Sequence, residues 1–246
     1  MTRGFDLQTN KIFTFGDGFA TGHIWPEWPQ ILQALLPDYQ VINTAGIGAG
    51  AEFLVSGFVD RIPDMSSSTV IFQWPGYQRF DKLVEDNSWQ DVIANDPVYY
   101  FNTVADCSDR KWWLSSASNT KEVQQYHARY VQKNQSLNRS RVYQTLVDHT
   151  ALALNCKILH TSTQDQEDFS RLPKFFSTRK SEVQPSPVVH FYWLIEQVLP
   201  KLNIDVDPVL KHKLEQLINQ TQWIAYCPDR QETWTTICNM ITDQAM

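Results

Sequence analysis

Asp17 is the first side chain able to do chemistry at a place where an α/β protein keeps its sites. It follows the apolar run Ile12-Phe13-Thr14-Phe15 and lies inside Gly16-Asp17-Gly18. A β-branched and aromatic run that stops at such a tripeptide reads as a buried strand ending in a tight loop. Open α/β sheets bind ligands outside the carboxyl ends of their strands, so Asp17 and Gly18 border the expected site. An aspartate there can orient a base or accept hydrogen bonds from a ligand. It equally suits an Asx turn that holds the loop.

Other candidates are scattered through the chain. His23 and His190 are the histidines considered as general bases, against the plainer role of a histidine hydrogen-bonded inside the fold. Arg79 can clasp a carboxylate or phosphate with two parallel N–H bonds, or form a surface ion pair. Trp25, Trp28, Trp112 and Trp113 could stack on sugars or fill the core. Ser186 precedes Pro187, which makes it a helix cap rather than a nucleophile. Arg129, Lys133, Arg139 and Arg141, with Tyr126, Tyr130 and Tyr143 between them, have helical spacing and read as a solvated helix face. No cluster of His, Cys, Asp and Glu has metal-ligand spacing, and no cofactor is indicated.

Composition narrows the class. The 246 residues are 42% hydrophobic, enough for one sizeable core. A net charge of -6 and an isoelectric point near 5.5 provide no electrostatic footprint for nucleic acid. Cys107, Cys156, Cys227 and Cys238 lie far apart without a CxxC pair, so reduced thiols are expected rather than zinc or a disulfide framework. Met1 to Asn10 lacks a basic segment followed by an apolar run, and no apolar stretch approaches the roughly 20 residues needed to span a bilayer. A cytoplasmic protein without membrane partners is the expectation.

The elements that must position these residues follow in order. Trp25 to Leu36 has helical spacing, with Pro26 in its first turn, and Tyr39 to Asn43 reads as a strand ahead of Gly46, Gly48 and Gly50. Glu52 to Ile62 reads as a second helix and Thr69 to Trp74 as a third strand. Strand, helix, strand at this length is a βαβ unit, with parallel strands and a right-handed crossover. From Tyr77 to about Thr120 periodicity fades, as in an elaborated loop. Lys121 to Leu154 recovers helical spacing, Cys156 to His160 reads as a fourth strand, and the helix after Ser186 is apolar almost all round, as for a buried element. Two helical patterns, Val209 to Ile218 and Thr233 to Ile241, close the chain.

Four stretches together resemble the SGNH (GDSL-type) hydrolase family. Gly16-Asp17-Gly18 is similar to its first block, Gly-Asp-Ser, with Gly18 at the nucleophile position. Asn43-Thr-Ala-Gly-Ile-Gly48-Ala-Gly50-Ala51 is similar to the second, which makes Gly48 the glycine of the oxyanion hole. Gln73-Trp74-Pro75-Gly76-Tyr77-Gln78-Arg79 resembles a variant third block with tryptophan and arginine, and the family's asparagine has no clear counterpart. Ser181-Glu-Val-Gln184-Pro185-Ser186 stands where the family has Asp-x-x-His, putting Ser181 at the aspartate and Gln184 at the histidine position.

The resemblance implies a three-layer α/β fold of flavodoxin-like topology over residues 1–204, with 205–246 as a C-terminal helical extension on the same domain. It also implies that serine-ester hydrolysis has been lost, since Gly18 carries no nucleophile and Gln184 is no base. What would remain is a binding or structural protein with a pocket around Asp17, Gly18, Gly48, Trp74 and Gln184, taking an ester or carbohydrate ligand or protein partners in a larger assembly. The alternative is an active esterase or deacetylase on a carbohydrate-like ester, using His23 or His190 with Asp17 and a water.

Overall fold

A computed structural model of the protein describes residues 10–18, 20, 26–46, 48–77, 79, 81–84, 111–114, 125, 129, 132–162 and 186–220. In chain order the elements are β1 (Asn10–Phe15), α1 (Trp28–Leu35), β2 (Tyr39–Asn43), α2 (Ala51–Arg61), β3 (Thr69–Trp74), β4 (Asp81–Val84), β5 (Lys111–Leu114), α3 (Lys133–Ala153), β6 (Lys157–Ser162), α4 (Pro187–Trp193), α5 (Leu199–Leu202) and α6 (Pro208–Gln220). A short 3₁₀ turn, Ile62–Asp64, follows α2, and a π turn, Leu194–Val198, joins α4 to α5.

β1, β2, β3 and β6 form one parallel sheet in the order β2-β1-β3-β6. The register sets Ile12 opposite both Val41 and Thr69. β1 and β3 are central and must be apolar on both faces. Alternation sends Ile12 and Ile71 into a core with Trp28, Ile31, Leu32, Phe191, Leu194 and Leu214, built from α1, α4 and α6. Phe13, Phe15, Val70 and Phe72 enter a second core with Phe53, Leu54, Phe58 and Val147, built from α2 and α3. Helices thus cover both faces of the sheet. Phe15 stacks on Phe72 at 5.3 Å between ring centres and meets the edge of Phe58 at 5.6 Å.

The edge strand β2 is closed by a side chain from α1. Gln33 accepts the Val41 N–H at 2.8 Å and donates to the Tyr39 carbonyl at 2.8 Å. Those groups are therefore withdrawn from pairing with another strand.

Several boundaries differ from the sequence reading. α1 begins at Trp28, because Glu27 and Gln30 form a capping box and Pro29, not Pro26, occupies the first turn. α2 ends at Arg61, where the chain tightens through Pro63. The loop expected from Tyr77 to Thr120 contains an antiparallel pair, β4 with β5, in which Asp81 faces Leu114. α3 covers 133–153 of the helix expected over Lys121 to Leu154, and β6 runs to Ser162.

Ser186 caps α4 by accepting the Val189 N–H at 3.4 Å, as its place before Pro187 predicts. The helix widens into its π turn just before Pro200, which has no N–H to close the preceding turn. In α6, Leu214 and Ile218 are buried in the same core as α1. The pattern at Thr233 to Ile241 lies outside the described residues. No helix among the described residues is long and apolar enough to cross a membrane.

Candidate functional site

The loops after β1, β2 and β3 meet around Asp17. Its carboxylate is fully buried and accepts from both sides. Arg79 Nη1 donates to Oδ2 at 2.5 Å, and Gln73 Nε2, from β3, donates to Oδ1 at 3.2 Å. Gln73 in turn accepts the Trp28 indole N–H at 2.8 Å, which ties β3 to the start of α1. Gly16 permits this close approach: a Cβ there would lie 2.8 Å from Ala20 Cβ and 2.9 Å from Gln73 Oε1. Gly48, in the loop after β2, has φ 75°, a left-handed conformation that favours glycine. Arg79 Nη1 also approaches the Ala49 carbonyl at 3.5 Å.

A second polar group adjoins the first. Asp81, at the start of β4, accepts the Gly50 N–H at 2.7 Å and the Phe53 N–H at 3.0 Å through Oδ2, capping the first turn of α2. Its Oδ1 is buried and has no hydrogen-bond partner among the described residues. Burial pushes the carboxyl up to about 8, and the neighbouring Glu52 pushes it the same way. Glu52 accepts the Asp81 N–H at 3.2 Å and pairs with Arg139 Nε at 3.0 Å; its own carboxyl is raised by burial. Arg139 Nη2 donates to the Arg79 carbonyl at 3.1 Å, linking α3 to the Asp17 loop. Arg139 is thus not on a solvated face, as its helical spacing suggested, but bridges α2 and the arginine loop.

The third constellation lies on β6. The Trp74 indole N–H donates to His160 Nδ1 at 2.8 Å, and His160 Nε2 meets Asp148 Oδ1 at 2.6 Å. An indole nitrogen only donates, so Nδ1 is an acceptor and Nε2 carries the proton given to Asp148. Both ring nitrogens are engaged, and burial lowers the pKa of the imidazole. This histidine is held by the fold and has no lone pair to offer a substrate proton. His190 is 2% exposed on α4, and burial lowers its pKa to about 3.

Of the residues singled out in the sequence, Asp17 and Arg79 come together, with Gly18 next in the chain and the Gly48 turn adjoining. Trp74 is buried on β3 and turned to His160, and His190 is buried on α4. His23, Ser181 and Gln184 lie outside the described residues. Gln73, Glu52, Asp81, Arg139, His160 and Asp148 were not singled out for chemistry. The Gln73 to Arg79 block carried a signal for the first of these, but no spacing rule links Asp148 to His160 or Glu52 to Asp81.

Among the described residues the arrangement offers two ion pairs, Asp17 with Arg79 and Glu52 with Arg139, a buried Asp81 carboxyl that favours its proton, and glycine turns that let backbone approach closely. Among the described residues no group of three or more His, Cys, Asp and Glu could hold a metal ion. No protein-family model matches the chain, and a search of the curated proteins returns no match.

Proposed function

We propose that the chain is a divergent protein of the SGNH hydrolase type, flavodoxin-like in topology, that has lost ester hydrolysis and works as a binding or structural component. The observation that carries this reading is the state of Asp17. Its carboxylate is spent on Arg79 and Gln73, beside a Gly18 that has no side chain to acylate. A triad needs a nucleophile, a base and a group that orients the base. The strand order β2-β1-β3-β6, with helices on both faces, supports the topology, and the Gly48 turn suits the second block of the family. Residues 1–204 form the α/β domain in this reading, with 205–246 as an extension whose helix α6 seals the core above α1.

The test is turnover of a broad panel of acetyl and acyl esters, acetylated saccharides included, by the purified chain. Hydrolysis no faster than in buffer is expected. Turnover that disappears on His190→Ala or Asp17→Asn, with the circular dichroism spectrum unchanged, would overturn the proposal in favour of a rearranged esterase. Light scattering after size exclusion then separates a monomeric binder from a part of an assembly.

A further inference from the structure

Trp74, His160 and Asp148 form a chain of two hydrogen bonds in which a single lone pair makes the link to β3. The Trp74 indole N–H donates to His160 Nδ1 at 2.8 Å, and the proton on Nε2 goes to Asp148 Oδ1 at 2.6 Å. Only the neutral imidazole can do both, since an imidazolium carries an N–H on each nitrogen and has nothing left to accept with. A proton added to Nδ1 therefore takes the lone pair that holds the indole.

The surroundings set when that happens. Burial disfavours the charged ring and Asp148 favours it, with burial the larger effect, so the pKa falls below the ordinary 6.5. Among the described residues, Asp148 is the charged group that faces the ring. Its neighbour His149 is exposed, α2 brings the apolar Phe53, Leu54 and Phe58 to this core, and β3 brings Phe72 and Trp74. Lys157, on β6 itself, alternates to the other face and reaches the Leu202 carbonyl at 3.4 Å. The Asp148 side chain is 46% exposed against 10% for the imidazole, so water reaches the pair from the α3 side.

What the histidine holds is the end of β3. Trp74 is buried and stacks on Phe72 at 4.2 Å between ring centres and on His160 at 5.9 Å. Pro75 and Gly76 follow it directly, and the Gly76 carbonyl accepts the Arg79 N–H at 2.9 Å in the turn that carries Arg79 to Asp17.

We propose that His160 is an acid-operated latch: a proton taken up on Nδ1 releases the Trp74 indole and loosens the turn by which Arg79 is held on Asp17. The latch is closed at neutral pH and opens as pH falls. It needs no kinship with the hydrolases, only these three side chains and the register that pairs Phe72 with His160.

The test is an NMR pH titration of the full chain that follows His160 Nδ1, the Trp74 indole Hε1, and the amides of Gly76 and Arg79. One midpoint below pH 6.5, shared by all four, is expected. Nδ1 should move into the range of a protonated nitrogen and Hε1 upfield as its hydrogen bond is lost, while the amides of Ile12 and Phe13 keep their folded positions. Asp148→Asn keeps an acceptor for the Nε2 proton but removes the charge that favours the imidazolium, so the shared midpoint should move to lower pH. In His160→Phe the Trp74 resonance should start at the released position and show no transition. Three results would overturn the latch: a Trp74 resonance that titrates unchanged in His160→Phe, Gly76 and Arg79 amides that stay fixed while His160 titrates, or unfolding of the whole chain before His160 takes up its proton. Should His160→Phe fail to fold, the wild-type midpoints of His160 and Trp74 still decide, because the latch requires them to coincide. Ester turnover would remove the non-hydrolytic reading without moving this titration, so the two failures are separable.

Discussion

Asp17 and Asp81 are both buried carboxylates beside the loops that follow β1 and β2, and they have opposite partners. Asp17 meets a guanidinium and an amide, so each oxygen has a donor and the charge has a counter-charge. Asp81 meets two backbone N–H groups on one oxygen, no donor on the other among the described residues, and Glu52 close by. Burial alone therefore does not decide what a carboxyl becomes. An arginine makes a fixed clamp, whereas a buried carboxyl beside another acid holds its proton until about pH 8.

The contrast is broken most severely by removing the clamp's cation. Arg79→Met leaves Asp17 buried without its counter-charge, and urea unfolding should show a loss of about 3–5 kcal/mol, the usual penalty for breaking a buried pair. Gly50→Ala attacks the other carboxyl, since the new Cβ would lie 2.9 Å from Asp81 Oδ2. A loss of about 1–3 kcal/mol is expected from such overpacking. Most of that loss should vanish in the Asp81→Ala background, because the clash goes with the side chain.

Protonation sharpens the comparison with smaller effects. The pKa of Asp81 is raised in the folded state, so its contribution to stability is complete below pH 3.8 and is lost as pH rises through about 8. Asp81→Asn keeps an oxygen for the two N–H groups, and should cancel that slope while changing stability at low pH by less than about 1 kcal/mol. His190 has the opposite sign. Its folded pKa is lowered from 6.5 to about 3, so its contribution is complete above 6.5 and is lost as pH falls toward 3. In His190→Leu, stability between those limits should fall with a slope smaller by up to one proton, about 1.4 kcal/mol per pH unit. A variant whose acid limb matches the wild type would show that His190 is not the group responsible.

The sheet was legible in the sequence wherever a short apolar run is bounded by turn residues, at the edge strand β2 as well as at the buried β3. β2 and β3 match the expected Tyr39 to Asn43 and Thr69 to Trp74, because their apolar runs are bounded by Pro and Gly. The Ser186 cap was legible for the same local reason. The pair β4 and β5 was not, since four-residue strands nearly thirty positions apart leave no periodicity to read. Helix α1 began three residues late because a Glu27 to Gln30 capping box outweighed the apolar spacing of Trp25.

Asp17 and Arg79 could each be named from their motifs, yet their pairing joins loops 62 positions apart. The partnership of Trp74, His160 and Asp148 depends on strand register and on the face of α3, neither of which a single motif encodes.

The proposed loss of ester hydrolysis leaves Gly18, with no side chain to acylate, at the position where the hydrolases it resembles carry their nucleophile. Intact mass spectrometry of the purified chain after exposure to a serine-directed fluorophosphonate measures this most directly. Unmodified protein at all times is expected. Rapid addition of one probe per chain would contradict it.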